Sequence, residues 1–403
     1  MVNRPRIPSG REKHRQHAMD LMSAHPLIDT HVDLPLIMRA INRDPVEAAG
    51  QLSGSYPGHV DVPRMREGKL GGIFMAVWLP CRPGTDYCLP NDVSSDILNL
   101  HHRLRSLTSL DDFQYARTSE DTLNAFKVGR FATFIGVEGA HMLGNSLSIL
   151  RVWAQLGVRY ITLTHTGHNA FASSAGSGGP IEPVHPGNGL TELGRELIKE
   201  MNRTGIMIDL SHVSDETMRQ AIQLSKAPVL FSHSNARALC DHPRNIPDDV
   251  LDMIGSEEGK NSGVIHCVFN DTFVSLEDPT LAKVADHIEY IAERCGKGHV
   301  GIGSDFDGID VSVTGLEDAT KYPDLIAEMV ARGWTDGEIV GLMGGNLMRV
   351  MDEVDRIQYE LRDQKPSGAV YDKRTDIPGI WLENLPDLAR KHWEERERNR
   401  QST

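Results

Sequence analysis

The chain has 403 residues, with 42 Lys and Arg against 56 Asp and Glu and a formal net charge of -14. An acidic balance excludes a broad nucleic-acid or anionic-membrane surface, because both reward excess positive charge. At this length a core can form without disulfide staples, and 18 histidines hint at metal or acid–base chemistry.

Residues 1–25 are charged but lack the apolar stretch of a secretory signal, and form an expected N-terminal extension. From residue 26 short apolar runs alternate with helical stretches. The runs are LIDTH (27–31), GGIFMAVW (71–78), FATFIGVE (131–138), RYITLTH (159–165), GIMIDLSH (205–212), PVLFSH (228–233), GVIHCVF (263–269) and HVGIGSD (299–305). Each is nearly continuous in apolar residues, as strands buried on both faces of a parallel sheet are. Helices are expected over 146–157, 189–205, from an N-cap at Ser214, and over 280–296, three of these stretches closing on Gly. Eight strands with intervening helices predict an α/β fold, a (β/α)8 TIM barrel over residues 26–355. The rival, an open doubly wound sheet, would show a Gly-rich phosphate loop after its first strand, and none follows LIDTH. Residues 356–403 lose clear periodicity and are expected to wrap the barrel. No segment has the length to cross a bilayer. The five cysteines, Cys81, Cys88, Cys240, Cys267 and Cys295, are odd in number and have no C-x-x-C spacing. Neither a disulfide framework nor a thiolate zinc site is expected, and the chain reads as soluble and cytoplasmic.

Six runs end in, or lead straight into, a residue able to bind metal or move a proton: His31 and Asp33, Glu138, His165, His212, His233 and Asp305. A further run holds His266 inside it. In a barrel the C-terminal ends of all strands meet at one rim, so these scattered residues would share one pocket. His31 and Asp33 leave the same face of an extended segment and can supply nitrogen and oxygen to one cation. Asp29 has the same parity and suits a structural acceptor better. His212 and His233 lie at adjacent strand ends, and neutral imidazoles suit Zn²⁺ and its neighbours. Glu138 would be costly to bury unpaired, and its two oxygens can each meet one cation. His165 is assigned beside the metals, where it can stabilise an oxyanion, because a catalytic metal keeps an open position. His141 and His168 fall in loops and are assigned surface or supporting roles. Asp305 can take a proton from a metal-bound water, with Asp307 as its competitor. Arg244 lies in a rim loop and can grip a carboxylate, or equally pair with Asp248 and Asp249.

The motifs DTHVDLP, HVDVPRMREGKLGG, GVEGAH, LTHTGHN, IDLSHVS, FSHSNARALCDHPRNIPDDVL, GIGSDFDG and GGNLMRVM, in this order from about residue 26 to 352, resemble the renal-type (membrane) dipeptidases, the M19 metallopeptidases. The resemblance implies a metal-dependent amidohydrolase barrel with two Zn²⁺ per chain, Mn²⁺ or Fe²⁺ being compatible with the same ligand types. It implies His31 and Asp33 on the first metal, His212 and His233 on the second, and Glu138 bridging them. By the same match His165 binds substrate, Arg244 grips the C-terminal carboxylate of a dipeptide, and Asp305 is the catalytic acidic residue. A water activated between the cations would attack the peptide carbon. Secreted members carry a cysteine where this chain has Gly167, together with a signal peptide and an anchor tail. Their lack here favours a soluble, non-anchored member, acting in peptide salvage or on Cys-Gly conjugates derived from glutathione. A homodimer is compatible with the resemblance. The competing expectations are another amidohydrolase reaction, whose sites commonly begin H-x-H, and a metal-binding protein without turnover.

Overall fold

The computed structural model describes residues 10–41, 51–81, 110–177, 181–371 and 386–401. Cys88 lies outside them. Every one of the eight apolar runs forms a strand: β1 (Leu27–Val32), β2 (Leu70–Val77), β4 (Phe131–Val137), β5 (Val158–Thr162), β6 (Met207–Asp209), β7 (Val229–Phe231), β8 (Val264–Cys267) and β9 (Val300–Ile302). A short strand that the pattern does not announce, β3 (Phe113–Tyr115), pairs with β4 outside the main path. All pairings are parallel, in the order β1-β2-β4-β5-β6-β7-β8-β9. The two ends meet where Asp305 N–H donates to His31 O at 3.0 Å and Asp33 N–H donates to Phe306 O at 2.8 Å. That contact closes the sheet into a (β/α)8 barrel. The barrel strands are buried along their whole length, which is why they read as continuous apolar runs and not as alternating ones.

The helices keep the expected stops, and their starts match except that the helix expected from 189 begins at Glu192. Helix Leu147–Leu156 follows Ser146, whose side chain accepts from Ser148 N–H. Helix Glu192–Thr204 is capped by Thr191 and ends at Gly205, whose φ of 74° favours glycine. Helix Asp215–Leu224 starts at Ser214, which accepts from Thr217 N–H at 3.2 Å. Helix Leu281–Cys295 stops at Gly296. Phe74 stacks on both Phe134 and Tyr160, and Val350, Met351 and Val354 of helix Asn346–Leu361 join the same cluster. Among the described residues no helix is long and apolar enough to cross a membrane, and Cys81, Cys240, Cys267 and Cys295 are free.

Candidate metal centre

The barrel delivers His31, Asp33, Glu138, His165, His212, His233 and Asp305 to one rim, and all are buried. Glu138 is at the centre. Its Oε2 is 3.5 Å from His31 Nε2, while its Oε1 is 2.9 Å from His212 Nε2 and 3.5 Å from His233 Nε2. His31 Nε2 is also 3.8 Å from Asp33 Oδ1 and 3.8 Å from Asp305 Oδ1. Two sets of atoms compact enough to hold an ion therefore share one carboxylate: His31, Asp33 and Glu138, and Glu138, His212 and His233. A third set, His31, His233 and Asp305, overlaps both. His165 Nε2 stands 3.8 Å from Glu138 Oε1, and its ring lies against His212 with centroids 4.6 Å apart.

The far nitrogens are held from behind. Tyr160 Oη is 2.8 Å from His31 Nδ1, across the barrel, and Gly136 leaves the room that the Tyr160 ring needs. Ser232 Oγ is 2.8 Å from His233 Nδ1 and donates to Asp209 Oδ2 at 2.7 Å. Both arrangements aim Nε2 into the pocket, the usual way a protein orients an imidazole toward a metal. His31 Nε2, His233 Nε2 and Glu138 Oε2 are buried without a hydrogen-bond partner among the described residues. Buried polar atoms rarely stay unpaired, so this donor set fits divalent cations of the first transition row. His212 and Asp305 sit at φ of 66° and 64°, a strained region for residues with side chains, and such strain gathers at functional sites.

Burial disfavours charge throughout the cluster. It pushes Asp305 up to about 7 and Asp33 well above the carboxylate range, Glu138 adding to both. Against the same burial, the charge of His31 and a hydrogen bond from His212 hold Glu138 well below that range. Burial pushes His212 and His233 well below the ordinary imidazole value, with Arg244 adding to both. His31 is the exception: burial opposes its protonation, but Glu138 and the neighbouring carboxylates outweigh it and raise it to about 10. Cation uptake there would release a proton.

Arg244 is only 2 % exposed, and its Nε, Nη1 and Nη2 have no hydrogen-bond partner among the described residues. Its guanidinium is 5.4 Å from the Phe273 ring, and burial lowers it to about 10. The alternative partners are engaged elsewhere, Asp248 by Tyr290 at 2.9 Å and Asp249 by Arg219 at 2.7 Å. One oxygen of Asp307, Oδ1, is likewise occupied, by the main chain and ring of His59. Asp29 accepts from the N–H groups of His31 and Ser304 and from the Tyr322 hydroxyl, a structural role. His266 is buried inside β8 with Nδ1 3.0 Å from Phe231 O. His141 Nε2 meets Leu79 O at 2.8 Å, and His168 Nε2 meets Glu182 O at 3.0 Å.

Comparison with known proteins gives this rim its context. The family described as "Membrane dipeptidase (Peptidase family M19)" matches residues 15–365. The chain belongs to this family. A dipeptidase named verJ from Clonostachys rogersoniana is 38% identical over 387 residues, covering 93% of this chain and 95% of its own. A metallopeptidase from Rhodobacter sphaeroides, solved with a phosphinate mimic of the dipeptide L-Ala-D-Ala, shares 28% identity. Its TM-score is 0.71, over 82% of this chain and 99% of that one. The probable dipeptidase PvdM from Pseudomonas aeruginosa, at 24% identity and a TM-score of 0.73, covers 86% of this chain and 99% of its own and shares the fold. As an M19 metallodipeptidase the chain is a peptide hydrolase.

Sequence reasoning missed the residues that support this M19 site from behind. Tyr160 looks like an ordinary strand residue, and Asp209 and Ser232 give no metal signal. Trp78 had one visible mark: it closes the second run, which has no titratable residue at its end.

Proposed function

We propose that this chain hydrolyses dipeptides bearing a free C-terminal carboxylate, with two Zn²⁺ held by the rim. His31 and Asp33 would hold the first, His212 and His233 the second, and Glu138 would span them. When bound, the cations polarise the peptide carbonyl and acidify a water. Asp305 takes the proton of the attacking water and passes it to the departing nitrogen. His165, kept neutral by burial, donates its Nε2–H toward the carbonyl oxygen as charge develops. Arg244 pairs with the substrate carboxylate through two parallel hydrogen bonds. A carboxylate one residue beyond the cleaved bond is what limits the substrate to a dipeptide.

The observation that carries the reading is the split of Glu138, one oxygen toward His31 and the other toward His212 and His233. Residues 26–355 contain every residue named, and we treat 1–25 and 356–403 as extensions of that catalytic unit. Supporting this, Arg15 pairs with Asp324 at 2.9 Å, and Ser367 Oγ donates to Glu196 at 2.7 Å. The free thiols among the described residues favour a reducing compartment, the cytoplasm. The test is amino-acid release from a panel of dipeptides, Cys-Gly included, each with a chelated aliquot and a C-terminally amidated counterpart. Chelator-sensitive cleavage of the free dipeptides alone is expected. Equal cleavage of the amides, or none of the panel by Zn²⁺-loaded protein, would overturn the proposal.

A further inference from the structure

β2 carries no acid or histidine at its end; Trp78 follows it directly. Glu138 N–H donates to Val77 O at 2.9 Å, which sets Trp78 beside the centre of the rim. The indole makes two contacts there. Its Nε1–H donates to Asp33 Oδ1 at 3.0 Å, and its ring lies on His165 with centroids 4.6 Å apart and planes tilted by 34°. Asp33 Oδ1 is also the oxygen that faces His31 Nε2 at 3.8 Å. The other oxygen is backed by Gly308, where a Cβ would overlap Asp33 Oδ2. One carboxylate is thus held from two sides, by a donor on one oxygen and by close-packed backbone on the other.

The kind of donor matters. Asp33 lies among like charges, with Glu138, Asp305 and Asp307 near enough to repel it. An Arg or Lys in the place of Trp78 would hold the carboxylate by neutralising it and would compete with a cation for it. An indole N–H is neutral, so it can fix the direction of the carboxylate and leave its charge for a metal. Its flat ring serves the imidazole of His165 at the same time.

We propose that Trp78 is a positioning residue for the first cation, its N–H holding Asp33 turned toward His31 while its ring seats His165. This rests on the two-cation reading above. The test is calorimetric titration of metal-stripped protein with Zn²⁺, using Asp33→Asn to identify the first-site step. Trp78→Phe keeps a ring and removes the donor. It should weaken that step by about 10–100-fold, the usual effect of losing a partner behind a metal ligand, and leave the other step at its parental affinity. Circular dichroism and Tm confirm the fold. Where the Phe variant is misfolded, β-(3-benzothienyl)alanine at position 78 replaces the N–H by sulfur with the same outline, and the same selective loss is expected. Parental affinity at both steps in either folded variant would overturn the assignment of Trp78 and leave the metal centre standing. Failure of the parent itself to bind two Zn²⁺ would overturn the two-cation reading and this inference with it.

Discussion

Replacing Arg244 by Met should make the ligand-free protein more stable and the enzyme worse. The guanidinium is buried with no partner among the described residues, and burial brings it down from the ordinary guanidinium value to about 10. At about 1.4 kcal/mol for each factor of ten, holding that charge inside the protein costs about 3 kcal/mol. A Met of similar length removes the charge and keeps much of the packing against Phe273, so thermal melting should rise by a few degrees. Binding moves the other way. Truncating one partner of a buried, hydrogen-bonded charge pair costs about 2–5 kcal/mol, so kcat/KM for free dipeptides should fall about 30- to 4,000-fold. Amidated dipeptides never form that pair and should be cleaved by Arg244→Met as well, or as poorly, as by the parent. The assay is kcat/KM on a dipeptide and its amide, with melts of both proteins free of substrate. An equal loss on both substrates, or a drop in Tm, would refute the reasoning.

Asp305→Asn should lower kcat by about 10²–10⁴-fold while metal analysis still finds two ions per chain; loss of metal would instead make Asp305 a ligand. Glu138→Gln keeps the volume but removes the shared charge, and should weaken both Zn²⁺ steps in calorimetry. Two unaltered steps would refute the bridge. His266 is buried inside β8 and brought from 6.5 to about 4 by desolvation. The unfolded chain therefore takes up this proton first as the solution is acidified. The native state holds its full advantage above pH 6.5 and loses about 3 kcal/mol of it as pH falls to 4. His266→Gln should flatten that part of the urea-unfolding profile in chelated protein, and an unchanged slope would place the acid sensitivity elsewhere.

The amino-acid sequence by itself determined the barrel and most of its rim. Strands buried on both faces must be almost wholly apolar, so a polar residue at the end of such a run is conspicuous without coordinates. That is how His31, Glu138, His165, His212, His233 and Asp305 were legible, and chain order together with barrel geometry puts strand ends on one rim. Two helix ends were legible for a similarly local reason, since Ser214 and Gly205 act within one turn. What only the tertiary structure decided lies between residues far apart in the chain. Arg244 and its potential partners Asp248 and Asp249 are neighbours in sequence, yet Tyr290 and Arg219 engage the acids and the guanidinium is left buried. Asp305 and Asp307 have the same parity, and tertiary contacts separate them: Asp305 faces His31 while His59 packs against Asp307. Trp78 on Asp33, Tyr160 on His31 and Ser232 with Asp209 behind His233 are hydrogen bonds whose partners no local pattern announces. The physical reason is range. Burial and capping act on a residue through its immediate neighbours, whereas the direction of a buried polar atom depends on which strands close the barrel opposite it.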